Sequence, residues 1–142
     1  MTGWLLDTNV VSELLRPRPH PGVVGFIESG PLEALYLSEI TFAEIRYGIE
    51  MQPDAARRAE ISDWLIKVLR PMFEHRTLPI SEDVIFKWRL LVAEGKKAGH
   101  TFTQPDLFLA ATALCHGLTL VTRNTRDFDS IKVELLNPWD DC

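Results

Sequence analysis

The chain has 142 residues, of which 46% are hydrophobic and 25% are charged. This length and balance predict one folded domain and exclude a disordered chain, since domains commonly hold roughly 100–150 residues. The 20 Asp and Glu residues exceed the 15 Lys and Arg residues, which gives a formal net charge of −5. This charge is not typical of a protein with a broad nucleic-acid-binding surface, so any contact with a nucleic acid has to be local or mediated by a metal.

Cysteine usage and apolar runs predict the compartment. Cys115 and Cys142 have neither the spacing of a disulfide framework nor that of a metal site, which favours a reducing, cytoplasmic location. No basic leader opens the sequence, and every apolar run is far shorter than the roughly 20 residues of a membrane span. We therefore expect no export and no membrane association.

The first half of the chain alternates short apolar strands with helices. The run Trp4-Leu5-Leu6 predicts a strand that is buried on both faces and ends at Asp7. A helix capped by Thr8 or Asn9 follows and ends at a cluster of prolines. The elements predicted next are a helix at about 22–29, a strand at about 34–37 and a helix at about 39–52 that Ser38 caps. Asp54 is expected to cap a further helix, in which Ile61, Trp64, Leu65 and Val68 have the spacing of one buried stripe.

The second half continues this alternation. A short strand is predicted near 77–80, followed by a helix that starts at Ser81 and a helix that opens at Thr103 and Pro105 and closes at Gly117. Strands at about 118–122 and 133–136 complete the pattern. The alternation predicts a three-layer α/β/α domain with a mainly parallel central sheet of about 4–5 strands, formed by residues 1–142 as one unit.

One acidic residue falls on an apolar helical stripe. Glu44 shares the spacing i, i+4, i+7 with Ile40 and Tyr47, which places it on the predicted inward face of its helix. A buried carboxylate needs a cation or a cleft, because removing its charge from water costs several kcal/mol. Pairing with a nearby arginine, such as Arg46 or Arg123, explains the position equally well.

Two aspartates have both a functional and a structural explanation. Asp7 lies at a strand end, where open α/β sheets bind ligands, but an Asx turn or a helix cap also fits. Asp106 follows Thr103 by three residues, so a capping box explains it at least as well as a site does. The combination favours a site, because carboxylates that meet in one pocket repel each other unless a divalent cation binds.

The ligand chemistry of these acids predicts a reaction class. Carboxylate oxygens without an accompanying His or Cys cluster suit Mg²⁺ or Mn²⁺ better than zinc. Such ions bind a scissile phosphate, generate hydroxide from water and neutralise charge on the leaving oxygen. This chemistry is phosphodiester hydrolysis without a covalent protein intermediate.

Four stretches in this order resemble a known family. They are 5–12 (LLDTNVVS), Glu44 before Gly48, 106–114 and 120–124 (LVTRN). In order and spacing the chain resembles the PIN-domain ribonucleases, specifically the VapC and FitB-like toxins of bacterial toxin–antitoxin pairs. The resemblance covers essentially the whole chain, including the closing Asn137-Pro138-Trp139.

The resemblance implies an activity and a set of partners. It implies an endoribonuclease that depends on Mg²⁺, for which Mn²⁺ can substitute, and that hydrolyses RNA as a toxin. It also implies a homodimer that is neutralised by a small DNA-binding antitoxin, with larger toxin–antitoxin assemblies compatible with it. Apolar residues predicted to be exposed on the helix that carries Trp64 agree with dimerisation.

The resemblance also implies roles for individual residues. The expected catalytic and metal-binding acids are Asp7, Glu44 and Asp106. Thr8 and Asn9 are expected to shape the pocket around them.

A fourth acid, frequent in the family, is replaced in this sequence. Asn124 stands at that position, where it can hydrogen-bond a metal-bound water but supplies no charge. Asp127 is an alternative fourth ligand, although a surface turn before Phe128 explains it equally well. Thr122 is expected at the rim of the pocket.

Arginines near these residues are candidates for contact with RNA, because a guanidinium group can grip a phosphate with two hydrogen bonds. The candidates are Arg46, Arg123 and Arg126. A second basic stretch consists of Lys96, Lys97 and His100, and a solvated helix end explains its lysines better than a site does.

Two other functions remain open from the residues alone. A strand-end aspartate followed by Thr8 and Asn9 also resembles the start of haloacid-dehalogenase-type phosphatases, but these require D-x-D, and Asn9 replaces the second Asp. A degenerate pocket that only sequesters RNA or a partner is the second alternative. The presence of all three acids disfavours it.

Overall fold

A computed structural model describes residues 3–99 and 102–140, so His100 and Cys142 lie outside the described residues. The strands are β1 (Trp4–Leu6), β2 (Leu35–Ser38), β3 (Thr77–Leu78), β4 (Thr119–Val121) and β5 (Leu135–Leu136). They form a sheet in the order β3-β2-β1-β4-β5, and each neighbouring pair is parallel. The predicted parallel sheet is confirmed.

Helices connect these strands. They are α1 (Thr8–Glu13), α2 (Pro21–Ser29), α3 (Glu39–Met51), α4 (Ala55–Trp64), α5 (Arg70–Met72), α6 (Glu82–Lys97) and α7 (Gln104–His116). Short 3₁₀ helices at Leu32–Ala34 and Thr125–Phe128 were not anticipated from the sequence. No helix in the described part of the chain is long and apolar enough to cross a membrane.

Both faces of the sheet are buried. Leu5 and Leu120 belong to one core cluster, whereas the next residue in each strand, Leu6 and Val121, belongs to a second cluster. Successive side chains of a strand point to opposite faces, so helices must cover both faces to bury both clusters. The predicted three-layer arrangement follows from these continuous apolar runs.

Capping residues set several helix boundaries as predicted. The Ser38 hydroxyl accepts a hydrogen bond from the Ile40 N–H at 3.1 Å and starts α3 directly at the end of β2. The Ser81 hydroxyl accepts from the Val84 N–H at 3.3 Å at the start of α6. Gly117 ends α7 with a φ of 64°, a left-handed conformation that favours glycine.

The predicted caps of α1 are wrong, since the helix already contains Thr8 and Asn9, and Asp7 takes the N-cap position without a side-chain capping bond. The Asp7 side chain is therefore available for other contacts.

The helical stripe predicted around Trp64 also changes. The segment Leu65–Leu69 is a π-helix between α4 and α5. Its wider turn shifts the spacing of buried positions, so that Leu69 is 2% exposed and Val68 is 44% exposed.

Candidate metal-dependent nuclease site

Polar residues are buried at the carboxyl ends of three adjacent strands. Asp7 follows β1, Ser38 ends β2 and Thr122 follows β4, and all three are buried. Because β2, β1 and β4 are parallel neighbours, their carboxyl ends lie at the same edge of the sheet. This edge is where the sequence predicted a ligand site.

The Asp7 carboxylate is held by the residue that follows the neighbouring strand. The Thr122 hydroxyl donates a hydrogen bond to Asp7 Oδ2 at 2.8 Å, and the Asp7 N–H donates to the Val121 carbonyl at 2.9 Å. The Thr122 Oγ1 also accepts from the Asn124 N–H at 3.1 Å. Asn9 Nδ2 lies 3.5 Å from both Asp7 Oδ2 and Thr122 Oγ1. Thr122, predicted at the rim, is therefore a central contact of Asp7.

The electrostatic environment of Asp7 brings the three predicted acids together. The pKa of Asp7 is raised from 3.8 to about 6, and burial is the largest cause. The hydrogen bond from Thr122 opposes this rise, whereas the negative charges of Asp106 and, to a smaller extent, Glu44 contribute to it. Asp106 and Glu44 therefore both act on Asp7, and we call Asp7, Glu44 and Asp106 the acid cluster.

Glu44 is held by a hydroxyl rather than by an arginine. The Thr8 hydroxyl donates to Glu44 Oε1 at 2.7 Å, and the buried Thr41 hydroxyl oxygen lies 3.2 Å from Thr8 Oγ1. None of the ion pairs within residues 3–99 and 102–140 involves Glu44. The alternative explanation, pairing with Arg46 or Arg123, is wrong.

The predicted orientation of α3 also needs correction. Its core-facing residues are Thr41, Phe42 and Ile45, whereas Tyr47, predicted on the inward stripe with Glu44, is 68% exposed. The stripe of Glu44 instead lines a cleft of about 340 Å³ between α3 and the start of α7. The cleft is lined by Ile40, Ala43, Glu44, Tyr47, Gln104, Pro105 and Phe108. Glu44 remains solvated because the helix turns it toward this cleft and not toward the core.

Asp106 lies in the first turn of α7 and is half-buried. Thr103 is the N-cap residue, but its side chain makes no capping hydrogen bond, so the predicted capping box does not form. The negative charge of Asp106 instead contributes to the raised pKa of Asp7.

The two candidates for a fourth ligand have different positions. Asn124 is exposed and is tied to the acid cluster through its backbone N–H, which donates to Thr122. Asp127 is exposed on the 3₁₀ helix, where its N–H donates to the Asn124 carbonyl at 3.0 Å and the next residue, Phe128, is fully buried. This is the surface turn considered as the structural explanation of Asp127, and for both residues a ligand role stays a prediction.

Of the three candidate arginines, Arg123 is connected to the pocket. Its backbone N–H donates to Asn9 Oδ1 at 3.4 Å, and its guanidinium carbon lies 5.5 Å from the ring centroid of Trp139. Arg46 and Arg126 are exposed on α3 and on the 3₁₀ helix.

Sequence reasoning missed two features of the site. The hydroxyl of Thr41 lies beside Thr8, and the only sequence signal for it is a threonine three residues after the capping Ser38. The contact of Trp139 with Arg123 was also missed, because nothing in the local pattern indicates where the end of the chain packs.

The donor set fits a hard divalent cation. The acid cluster offers only carboxylate oxygens, and burial together with the neighbouring charges of Asp106 and Glu44 raises the pKa of Asp7, an electrostatic cost that a bound cation would relieve. Within the described ranges, no three His, Cys, Asp or Glu side chains are already gathered at the spacing of a complete ligand set. Mg²⁺ commonly keeps several water ligands and uses only one or two carboxylates directly, so this open arrangement agrees with its coordination.

The fold and the acid cluster define a class of protein. The family model of the PIN domain matches residues 4–134, and the chain belongs to this family. This membership decides against the haloacid-dehalogenase alternative.

Proteins similar to this chain narrow the class. The plasmid stability protein StbB of Pseudomonas syringae pv. tomato is 40% identical, over 96% of this chain and 98% of its own length. The VapC ribonuclease Y4jK of Sinorhizobium fredii is 36% identical, over 96% of this chain and 97% of its own length. The toxin FitB of Neisseria gonorrhoeae is 39% identical, over 96% of this chain and 99% of its own length.

Solved structures show the same fold. A crystal structure of FitAcB from Neisseria gonorrhoeae matches with a TM-score of 0.90 and 38% identity, over 96% of this chain and 98% of the matched chain. FitAB bound to a DNA fragment matches with a TM-score of 0.89 and 37% identity, over 96% of this chain and 95% of the matched chain. A toxin–antitoxin complex from Klebsiella pneumoniae matches with a TM-score of 0.72 and 27% identity, over 96% of this chain and 98% of the matched chain.

Proposed function

We propose that this protein is a metal-dependent endoribonuclease that acts as the toxin of a toxin–antitoxin pair. The observation that carries the proposal is the acid cluster, in which a buried Asp7 interacts with Asp106 and Glu44 at the carboxyl edge of a parallel sheet. The similarity to a named VapC ribonuclease and to the toxin FitB supports RNA as the substrate.

The three acids have distinct positions in the proposed metal site. Asp7 presents a buried carboxylate whose orientation is fixed by the Thr122 hydroxyl, and Thr8 fixes that of Glu44. Asp106 contributes the third carboxylate from α7. When bound by these three acids, Mg²⁺ or Mn²⁺ supplies activation of water and neutralisation of phosphate charge.

The rim of the pocket orients the substrate. Asn9 bridges Asp7 and the backbone of Arg123, so it shapes the pocket between the carboxylate and the rim. Arg123, with Arg46 and Arg126, supplies guanidinium groups for RNA phosphates. Asn124 supports a metal-bound water through its amide, and Asp127 is the alternative fourth ligand.

The same proposal covers assembly and location. The complexes formed by similar proteins support a small DNA-binding antitoxin as partner. Exposed apolar side chains on the segment after Trp64, among them Ile66 at 59% exposure, support a homodimer, which light scattering would reveal as twice the chain mass. We further propose that one PIN domain accounts for the whole chain and that it works in the cytoplasm.

An RNA cleavage assay tests the function. The purified protein, freed of any antitoxin, is incubated with a fluorescent single-stranded RNA in Mg²⁺, Mn²⁺ or EDTA. We expect cleavage with either metal, none with EDTA, and a loss of at least about 10²-fold in Asp7→Asn, because the variant removes one charge from the acid cluster.

Glu13→Gln is the matched control. Glu13 is also a buried acid, but its carboxylate accepts the His20 N–H at 2.9 Å and so belongs to the start of α2. A glutamine oxygen can still accept this bond, so cleavage should stay near that of the wild type. Equal cleavage by wild type and Asp7→Asn, or cleavage that persists in EDTA, would show that the proposed mechanism is wrong.

A further inference from the structure

The end of the described chain returns to the acid cluster. The Thr122 N–H donates to the carbonyl of Leu136 at 3.0 Å, which joins the loop after β4 to the end of β5. In the next residue, Asn137 Nδ2 donates to the Arg123 carbonyl at 3.3 Å, while its Oδ1 accepts from the Trp139 N–H at 2.9 Å. One amide side chain thus fixes both the backbone of Arg123 and the turn that carries Trp139.

The Trp139 ring is a platform beside this turn. It is half-buried and packs against the core cluster that contains Val10 and Val11. The exposed guanidinium group of Arg123 lies 5.5 Å from the ring centroid, within the distance of a cation–π contact, and the His20 ring lies 6.3 Å away. A core-anchored ring therefore restricts an arginine at the rim of the pocket.

This contact leaves the guanidinium able to bind an anion. A guanidinium group carries five N–H donors, and those that do not face the ring remain available to another partner. Those donors match the oxygens of a phosphate. Ordering the side chain before binding also reduces the entropy lost when the phosphate arrives, which improves affinity more than the chemical step.

We propose that residues 137–139, which we call the C-terminal clasp, position Arg123 to grip a phosphate of the RNA beside the acid cluster. Trp139 and Asn137 are positioning residues, since they act through Arg123. The link to the cluster is direct, because the residue before Arg123 holds Asp7 and the Arg123 N–H binds Asn9. This inference rests on the proposed ribonuclease function.

Steady-state cleavage of a fluorescent RNA tests the clasp by separating KM from kcat. Trp139→Leu should raise KM about two- to fivefold, the equivalent of a cation–π contact at an exposed position, with kcat nearly unchanged. Trp139→Phe keeps an aromatic face and should restore most of the affinity. In an Arg123→Ala background, Trp139→Leu should raise KM no further, because the group that it positions is already gone.

Two further variants separate positioning from stability. Trp4→Leu is the matched control, because Trp4 is also half-buried against the same core cluster but lies at the amino end of β1, where it contacts Phe26. It should leave KM unchanged while lowering Tm. Asn137→Ala keeps the aromatic core intact and should raise KM like Trp139→Leu, and circular dichroism checks that each variant is folded.

The outcomes distinguish the clasp from the function on which it rests. If the wild type cleaves RNA but Trp139→Leu and Asn137→Ala keep its KM, the proposed role of the C-terminal clasp is wrong and the ribonuclease proposal stands. The same holds if Trp139→Leu raises KM equally with and without Arg123, or if Trp4→Leu raises it as much. If the wild type neither cleaves nor binds RNA, both proposals fail.

Discussion

The two ends of the same three strands differ in chemistry. At their carboxyl ends, β1, β2 and β4 lead into the buried polar residues Asp7, Ser38 and Thr122. At their amino ends, the preceding residues are the small or apolar Gly3, Ala34 and Leu118.

Packing at the amino ends is close. A Cβ atom added to Gly3 would lie only 2.8 Å from Leu118 Cδ2 and 3.2 Å from the Ala34 carbonyl oxygen. The amino end is thus closely packed around Gly3 and, among the described residues, holds no buried charge, whereas the carboxyl end holds a carboxylate whose burial costs stability. This difference agrees with the proposal that the active site lies at the carboxyl end.

The largest effect on folding should come from the charge of Asp7. Its folded-state pKa of about 6 lies above the ordinary value of 3.8, so the folded protein binds this proton more tightly than the unfolded chain does. The cost of the charge is absent below about pH 4, grows as the pH rises, and is complete above about pH 6. It amounts to about 3 kcal/mol at most.

Asp7→Asn should remove this cost. In urea unfolding with EDTA, we expect the variant to gain stability over the wild type as the pH rises from 4 to 7, although it cleaves no RNA. A stability difference that does not change with pH would contradict the comparison of the two ends.

Paired substitutions at the two ends of β4 test the comparison next. Thr122→Val removes the hydroxyl that holds Asp7 and should lower metal-dependent cleavage about ten- to hundredfold, as is typical when a partner of a metal ligand is lost. Thr119→Val removes an exposed hydroxyl that donates to Glu134 Oε2 at 3.1 Å and should leave cleavage within about twofold. Equal losses of initial cleavage rate in the two variants would indicate that the two ends of β4 contribute equally to activity.

Glycine substitutions sharpen the role of the amino end. Gly3→Ala should lower the free energy of unfolding by about 1–3 kcal/mol, because the added Cβ overlaps Leu118 and Ala34. Gly25→Ala, in α2 with nothing near its Cβ position, should instead raise it by about 0.5–1 kcal/mol. Chemical denaturation measures both, and a neutral Gly3→Ala would show that the amino end tolerates more volume than its packing suggests.

The smallest effect is expected at the rim of the amino-end pocket, a space of about 280 Å³ to which Glu33 contributes. Glu33→Gln should leave the rate of RNA cleavage within about twofold, because this carboxylate takes no part in the acid cluster. Glu44→Gln makes the same chemical change at the carboxyl end and should reduce cleavage strongly. A comparable loss in Glu33→Gln would mean that the amino end also contributes to activity.

The fold could be predicted largely from local pattern. Apolar runs such as Trp4-Leu5-Leu6 mark strands buried on both faces, and Ser38, Ser81 and Gly117 mark helix boundaries, because capping depends on residues close in sequence. The π-helical segment Leu65–Leu69 could not be predicted, since tertiary packing decides where a helix widens.

The residues of the proposed site follow from sequence pattern, whereas their contacts do not. The strand end at Asp7 and the helical spacing of Glu44 indicated an acidic site, yet the spacing assigned Glu44 to the wrong face of α3. Periodicity identifies a stripe but does not say whether the stripe meets the core or a cleft. The bond between Thr122 and Asp7 joins residues 115 positions apart, which no local pattern reveals.

That separation in sequence has a consequence for synthesis on the ribosome. β1 is made first, but it lies between β2 and β4, and β4 is made only after α7. A growing chain therefore carries Asp7 long before Thr122 emerges to orient it and before residues 137–139 reach Arg123. Because the cluster needs the late strands, a nascent or prematurely ended chain lacks the finished arrangement until β4 and residues 137–139 have left the ribosome.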